Sequence, residues 1–71
     1  MSFRFIEISN PSELHIRNHQ LIIQQKEKEI VIPLEDLIQI FCIGPDIRIS
    51  TKALSIISHY KITLITLDEN D

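Results

Sequence analysis

The chain has 71 residues, a net charge of −3, one cysteine and 44% apolar residues. That length supports one domain, which buries only about 60% of its unfolded surface and has a thin stability margin. The composition excludes a disordered tail and a disulfide-stapled scaffold, and the acidic balance excludes any global attraction to nucleic acid. No apolar run approaches the roughly 18 residues of a membrane span. The start "MSFRFIEI" lacks the pattern of a signal peptide, so a cytoplasmic location without membrane contact is expected.

"FRFIEIS" (3 to 9) reads as the first strand, with a slip of phase between Phe5 and Ile6 that suggests a bulge or partial cover on both faces. Asn10, Pro11 and Ser12 break it. "ELHIR" (13 to 17) and "QLIIQQ" (20 to 25) alternate on either side of Asn18 and His19, residues that tolerate positive φ, and so predict a hairpin. After the mixed charges of "KEKE", "EIVIP" (29 to 33) adds a third strand to the meander and ends at Pro33.

Leu34, Glu35 and Asp36 make a short link to "LIQIFCI" (37 to 43), a nearly continuous apolar run expected to be a central strand covered on both faces. Gly44, Pro45 and Asp46 form a turn before the short strand "IRI" (47 to 49). A helix follows with Ser50 or Thr51 as N-cap, and Ala53, Leu54, Ile57 and Tyr60 mark its apolar face. "ITLITL" (62 to 67) is the last strand, before Asp68, Glu69, Asn70 and Asp71. Strand, helix and strand in this order suggest a compact crossover of unspecified direction. The expected fold is mainly β (α+β): a small domain of about six short strands, meander and sandwich-like, with one α-helix before the last strand.

Few residues suggest chemistry. His15, His19 and His59 have no zinc spacing, and Cys42 inside "IFCIG" suits a small core residue better than a nucleophile. Adjacent Glu35 and Asp36 diverge in a strand or helix, and the terminal acids lack the glycine and spaced ligands of a calcium loop. No G-x-S-x-G elbow accompanies the serines. No catalytic or metal-binding residue is therefore assigned. Arg48 before the helix and Lys52 in its first turn are the candidate DNA-binding residues, near a helix N-terminus that suits phosphate; their alternative is a pair of solubilising charges.

Three segments carry a family likeness: "LHIRNHQLIIQ", "IVIPLEDLIQIFCIGP" and "IRISTKALSIISHYKITLITLDEND". Together, over nearly the whole chain, they resemble the N-terminal β-domain of the CRISPR-associated spacer-acquisition integrase and endonuclease (Cas-one), with the compact type II members as the preferred likeness. The resemblance implies that residues 1–71 form a β-domain that homodimerises and positions DNA while new spacers are inserted into the CRISPR array, an antiviral function. It implies as partners a small CRISPR adaptation protein and, in the full complex, protospacer and repeat DNA.

The family's metal-dependent transesterification, with Mg²⁺ or Mn²⁺, belongs to a larger helical C-terminal domain absent from these 71 residues. The chain alone lacks the catalytic residues and is expected to be inactive. Some family members cap the duplex end with an aromatic or His before the first hairpin; Asn10, Pro11 and Ser12 depart from that pattern, leaving His15 or His19 as substitutes. Two other classes stand beside this expectation: a stand-alone protein-interaction β-module with no nucleic-acid role, and a self-sufficient nuclease, for which no metal site can be assembled.

Overall fold

A computed structural model describes residues 4–67. They form β1 (Arg4–Ile8), β2 (Ser12–Arg17), β3 (Gln20–Gln24), β4 (Glu29–Pro33), a 3₁₀ turn (Leu34–Asp36), β5 (Leu37–Ile43), β6 (Ile47–Ile49), α1 (Thr51–His59) and β7 (Thr63–Leu67). The expected mainly β architecture with one helix before the last strand is what is found, with seven strands in two sheets among the described residues. Phe3 and the acidic ending of Asp68 to Asp71 lie outside them.

The first sheet has the order β4-β3-β2-β6. Its antiparallel meander is set by the β2–β3 turn, where Asn18 and His19 have φ of 54° and 63°. Two consecutive positive φ angles match the right-handed twist of a two-residue hairpin. Pro33, which cannot donate to a ladder, ends edge strand β4, and the next amide, Leu34, donates to the His19 carbonyl at 3.0 Å. β6 closes the other side, parallel to β2.

The second sheet has the order β1-β5-β7 and is parallel throughout. β6 and β7 belong to different sheets, so the strand, helix and strand do not form a crossover between neighbouring strands. Instead α1 carries the chain from one layer to the other. Gly44, at φ 107°, turns the chain after β5 and donates to the Leu67 carbonyl at 2.8 Å, extending the β5–β7 pairing.

The two sheets and α1 enclose one core. Leu14, Leu21, Ile23 and Ile32 enter from the first sheet, Ile8, Ile40 and Cys42 from the second, and Ile57 from the helix. β5 is central, as expected, but only one of its faces is well covered: Leu37, Ile40 and Cys42 are buried while Ile38 is exposed. The pairing with β1 jumps from Arg4–Leu37 to Phe5–Gln39, so Ile38 is the extra residue of a bulge. The irregularity thus precedes Phe5, and beyond it β1 alternates cleanly, with Phe5 outward and Ile8 in the core.

Ser50 is the N-cap of α1, its Oγ accepting from the Ala53 amide at 3.1 Å. Ala53 and Ile57 are buried, whereas Leu54 is exposed and Ile56 takes a half-buried place against the core. The helix is therefore rotated relative to the expected apolar face. It ends in a left-handed cap: Lys61, at φ 60°, donates to the Ser58 carbonyl, and Ile62 donates to the Ile57 carbonyl.

Candidate functional site

Arg48 and Lys52 occupy different depressions that share no lining residue. Arg48 points outward from β6 in a depression with Pro11, Ser12, Glu13, Gln24, Lys26 and Asp46. Its ladder partner on β2 is Glu13, whose Oε1 lies 3.3 Å from His15 Nε2. Two carboxylates, Glu13 and Asp46, thus share the surroundings of Arg48 and weaken its attraction for a phosphate. Buried Ser12 anchors the loop beneath: its Oγ donates to the Asn10 carbonyl at 2.8 Å and accepts from Gln25 Nε2 at 3.1 Å, while its amide donates to the Asp46 carbonyl.

Lys52 lies in a cleft of about 670 Å³ between α1 and the β2–β3 turn. Lys52, Ser55, Ile56 and His59 stand at i, i+3, i+4 and i+7, a spacing that places them along one side of the helix. Asn18, His19 and Tyr60 face them, and Ile16 and Leu34 complete the apolar lining. His19 Nδ1 and the Tyr60 hydroxyl are 2.8 Å apart. The His59 ring meets Tyr60 edge-on, with centroids 6.1 Å apart and planes at 78°. Among the described residues no carboxylate lines this cleft; Glu35 sits in the adjoining depression, which shares Asn18, His19 and Tyr60.

Spacing along the chain gives no hint that His19 and His59 line one cleft, since the hairpin and the helix meet only in the folded chain. The signal available was the unusual pair of αL-tolerant residues at the hairpin tip. His15, the other stacking substitute, stays on the outer face of the first sheet beside Glu13, and the ring of His19 is engaged by Tyr60.

The outer face of the second sheet is a further feature. Register places Phe5 beside Gln39 and Thr63, Glu7 beside Phe41 and Ile65, and Ile43 beside Leu67. Phe5 is 67% exposed, Leu67 50% and Ile65 37%, with Phe41 and Ile43 half-buried. All-parallel sheets are found with both faces covered, and among the described residues this one has a cover on one face only.

Cys42 is buried in the core, and burial pushes its thiol above the ordinary value. Among the described residues no three His, Cys, Asp or Glu side chains come together as a donor set, so they do not fit the divalent ion of the resembled family. Among the described residues no helix is long and apolar enough to cross a membrane.

A family profile for "CRISPR associated protein Cas1" matches residues 6–71. The CRISPR-associated endonuclease Cas1 of Neisseria meningitidis serogroup C (strain 8013) is 33% identical over 69 residues, which cover 97% of this chain and 23% of that protein. The fold is similar to that of a CAS1 protein from Thermotoga maritima, with a TM-score of 0.83 at 13% identity, over 99% of this chain and 22% of the other. The chain thus spans less than a quarter of the length of these relatives.

Proposed function

The chain belongs to the CRISPR-associated Cas1 family, and from that premise we propose that it is a β-domain that pairs with a second copy and positions DNA for the insertion of new spacers. The observation that carries this reading is the open face of the parallel sheet. Among the described residues Phe5, Phe41, Ile43, Ile65 and Leu67 share this face with Gln39, Thr63 and a single charge, Glu7. Two such faces meet without bringing many like charges together, and a two-fold contact buries on each copy what one copy leaves in water.

In this reading the domain supplies geometry. Metal-dependent strand transfer, with Mg²⁺ or Mn²⁺, falls to the part of the longer relatives that this chain does not span, and no step of it is assigned to these residues. The small adaptation partner protein and the protospacer and repeat DNA are the proposed partners of the whole assembly, and the compact type II members remain the preferred subtype.

Sedimentation of the chain over a wide concentration range tests the pairing, with a dimer as the expected species. A well-folded monomer at the highest concentration, or association with an unlike protein in place of self-association, favours a stand-alone interaction module. Fluorescence anisotropy with labelled duplex DNA tests the positioning role; salt-sensitive binding is expected, and its absence at low salt removes that role.

A further inference from the structure

We propose that the open edge of β4 is a docking site for an extended segment of an unlike protein, added to the first sheet as a further antiparallel strand. The segment has apolar residues in its middle and a basic residue at each end. This contact stands in addition to the pairing of two copies proposed above and uses the other sheet.

The phase of the β3–β4 ladder fixes what the edge offers. Just past the two ends of the register the Leu34 amide donates to the His19 carbonyl and the Gln25 amide to the Lys28 carbonyl. Between them, the pairs that exchange hydrogen bonds are therefore Leu21–Ile32 and Ile23–Ile30. Glu29, Val31 and Pro33 take the alternate positions and turn their main-chain groups away from β3. Pro33 fits such a position because the ladder asks no amide of it. The N–H groups of Glu29 and Val31 and the carbonyls of Glu29, Val31 and Pro33 thus lie along the edge, and among the described residues nothing bonds to them.

The side chains select the partner. Val31 is 44% exposed beside buried Ile22, so an apolar residue opposite it covers what the edge leaves in water. On the inner face half-buried Ile30 borders the core, and an apolar neighbour suits it too. Charge lies at the two ends. Glu29 opens the strand, and Glu35 sits past Pro33 in a depression with Asn18, His19, Gln20 and Tyr60. Both carboxylates are exposed, and a Lys or Arg of an added strand beside each makes a cross-strand pair of opposite sign. Lys28, just before Glu29, lines the separate depression of the β3–β4 turn with Lys26 and Glu27.

A second copy of the chain is the poorer occupant. With β4 laid antiparallel on itself and Val31 opposite Val31, Glu29 meets Pro33, which has no amide to return, and points toward Glu35 of the other copy. Shifting the register by two residues instead brings the two Glu29 side chains to diagonal positions, like charge near like charge. A carboxylate and a proline at the ends of a short edge discourage its own kind. The main chain of its middle stays available to a strand of complementary charge.

The test uses the 71-residue chain and a capped, fluorescently labelled peptide, Lys-Thr-Thr-Val-Val-Val-Lys, with anisotropy for affinity and amide shifts in NMR for position. Shifts are expected to cluster from Glu29 to Pro33. The same peptide with Glu in place of both Lys should bind about threefold or more weakly. Val31→Pro deletes one outward amide and leaves the bonds to β3 in place, so it should weaken binding about threefold to tenfold with little change in thermal midpoint. Val31→Thr keeps the amide and should stay within about twofold. The double variant Glu29→Lys with Glu35→Lys should reverse the preference between the two peptides. Self-association in sedimentation should be unchanged by Val31→Pro.

The inference is overturned if the Lys-ended peptide does not bind, if both peptides bind alike, if the shifts fall elsewhere, or if folded Val31→Pro binds as the unsubstituted chain does. Should Val31→Pro fail to fold, the charge-reversed variant decides, and an unreversed preference overturns the inference. Weaker self-association of Val31→Pro also overturns it, since the edge then belongs to a second copy.

Discussion

Nδ1 of His19 and the hydroxyl of Tyr60 stand 2.8 Å apart across 41 residues of chain, tying the tip of the first hairpin to the end of α1. The same turn is held from a second side, where the His19 carbonyl accepts from the Leu34 amide. Because the side-chain bond is exposed to water, its net contribution is modest. Tyr60→Phe is expected to lower unfolding stability by about 0.5–1 kcal/mol and to speed amide exchange at Asn18 to Gln20, measured by urea titration and hydrogen exchange. Unchanged exchange in the turn counts against the tie.

Lys61 pays a conformational cost that glycine avoids. It sits at φ 60° in the helix C-cap, where its amide and that of Ile62 satisfy the Ser58 and Ile57 carbonyls. A non-glycine residue at positive φ is strained by about 1 kcal/mol, part of which glycine returns as extra freedom in the unfolded chain. Lys61→Gly is expected to raise stability by about 0.5–1 kcal/mol, seen as a thermal midpoint about 2–8 °C higher, whereas Lys61→Val, β-branched at the same φ, lowers it.

Local order was legible in the sequence and long-range order was not. Asn18 and His19 announced the hairpin, Ser50 or Thr51 the helix start and Pro33 the end of the third meander strand, because each acts on dihedrals or donors within a few residues. The parallel pairing of β1, β5 and β7 was hidden: nothing in "RFIEI" distinguishes a partner 33 residues away from an adjacent one. The continuous apolar run of β5 suggested cover on both faces, but among the described residues only one face is well covered. Around the candidate site, the place of Lys52 in the first helical turn was legible. The histidines opposite and the separation of Arg48 were not, since they depend on how the sheets and the helix pack.

Ile40 is fully buried on the central strand of the parallel sheet, between Ile6 and Leu64 in the ladder. Ile40→Ala removes its contacts with the shared core and leaves a cavity that the surrounding strands close only in part. A loss of about 3–4 kcal/mol is expected, a large share of the margin of so short a chain. Denaturant titration should show a largely lower midpoint; a shift under 1 kcal/mol, read on the scale of ordinary surface changes, contradicts the packing described.

Cys42 links burial to pH. Burial raises its thiol in the folded chain, while in the unfolded chain the thiol ionises near the ordinary value of about 8.5. Between those two values the unfolded chain has released a proton that the folded chain still holds, so unfolding is favoured as pH rises. This contribution is fully present below about pH 8.5 and declines above it. Stability of Cys42→Ala should fall less steeply than that of the unsubstituted chain over the same alkaline range, and thiol reagents should modify Cys42 only as fast as the chain opens.

Among the described residues Phe5 is the most exposed large apolar side chain of the open sheet face, so its replacement costs the fold little while changing what that face offers a partner. Phe5→Glu places a second carboxylate on the same β1 face as Glu7, and in a two-fold contact each new charge is met or approached by its symmetry mate. Self-association is expected to weaken at least about tenfold, with monomer stability within about 1 kcal/mol of the unsubstituted chain. Leu54→Glu, an equally drastic change at an exposed apolar position on α1, is expected to leave association unchanged. Sedimentation of both variants decides the matter: equal weakening by the two points to general charge repulsion, and no effect of Phe5→Glu moves the pairing surface away from the parallel sheet.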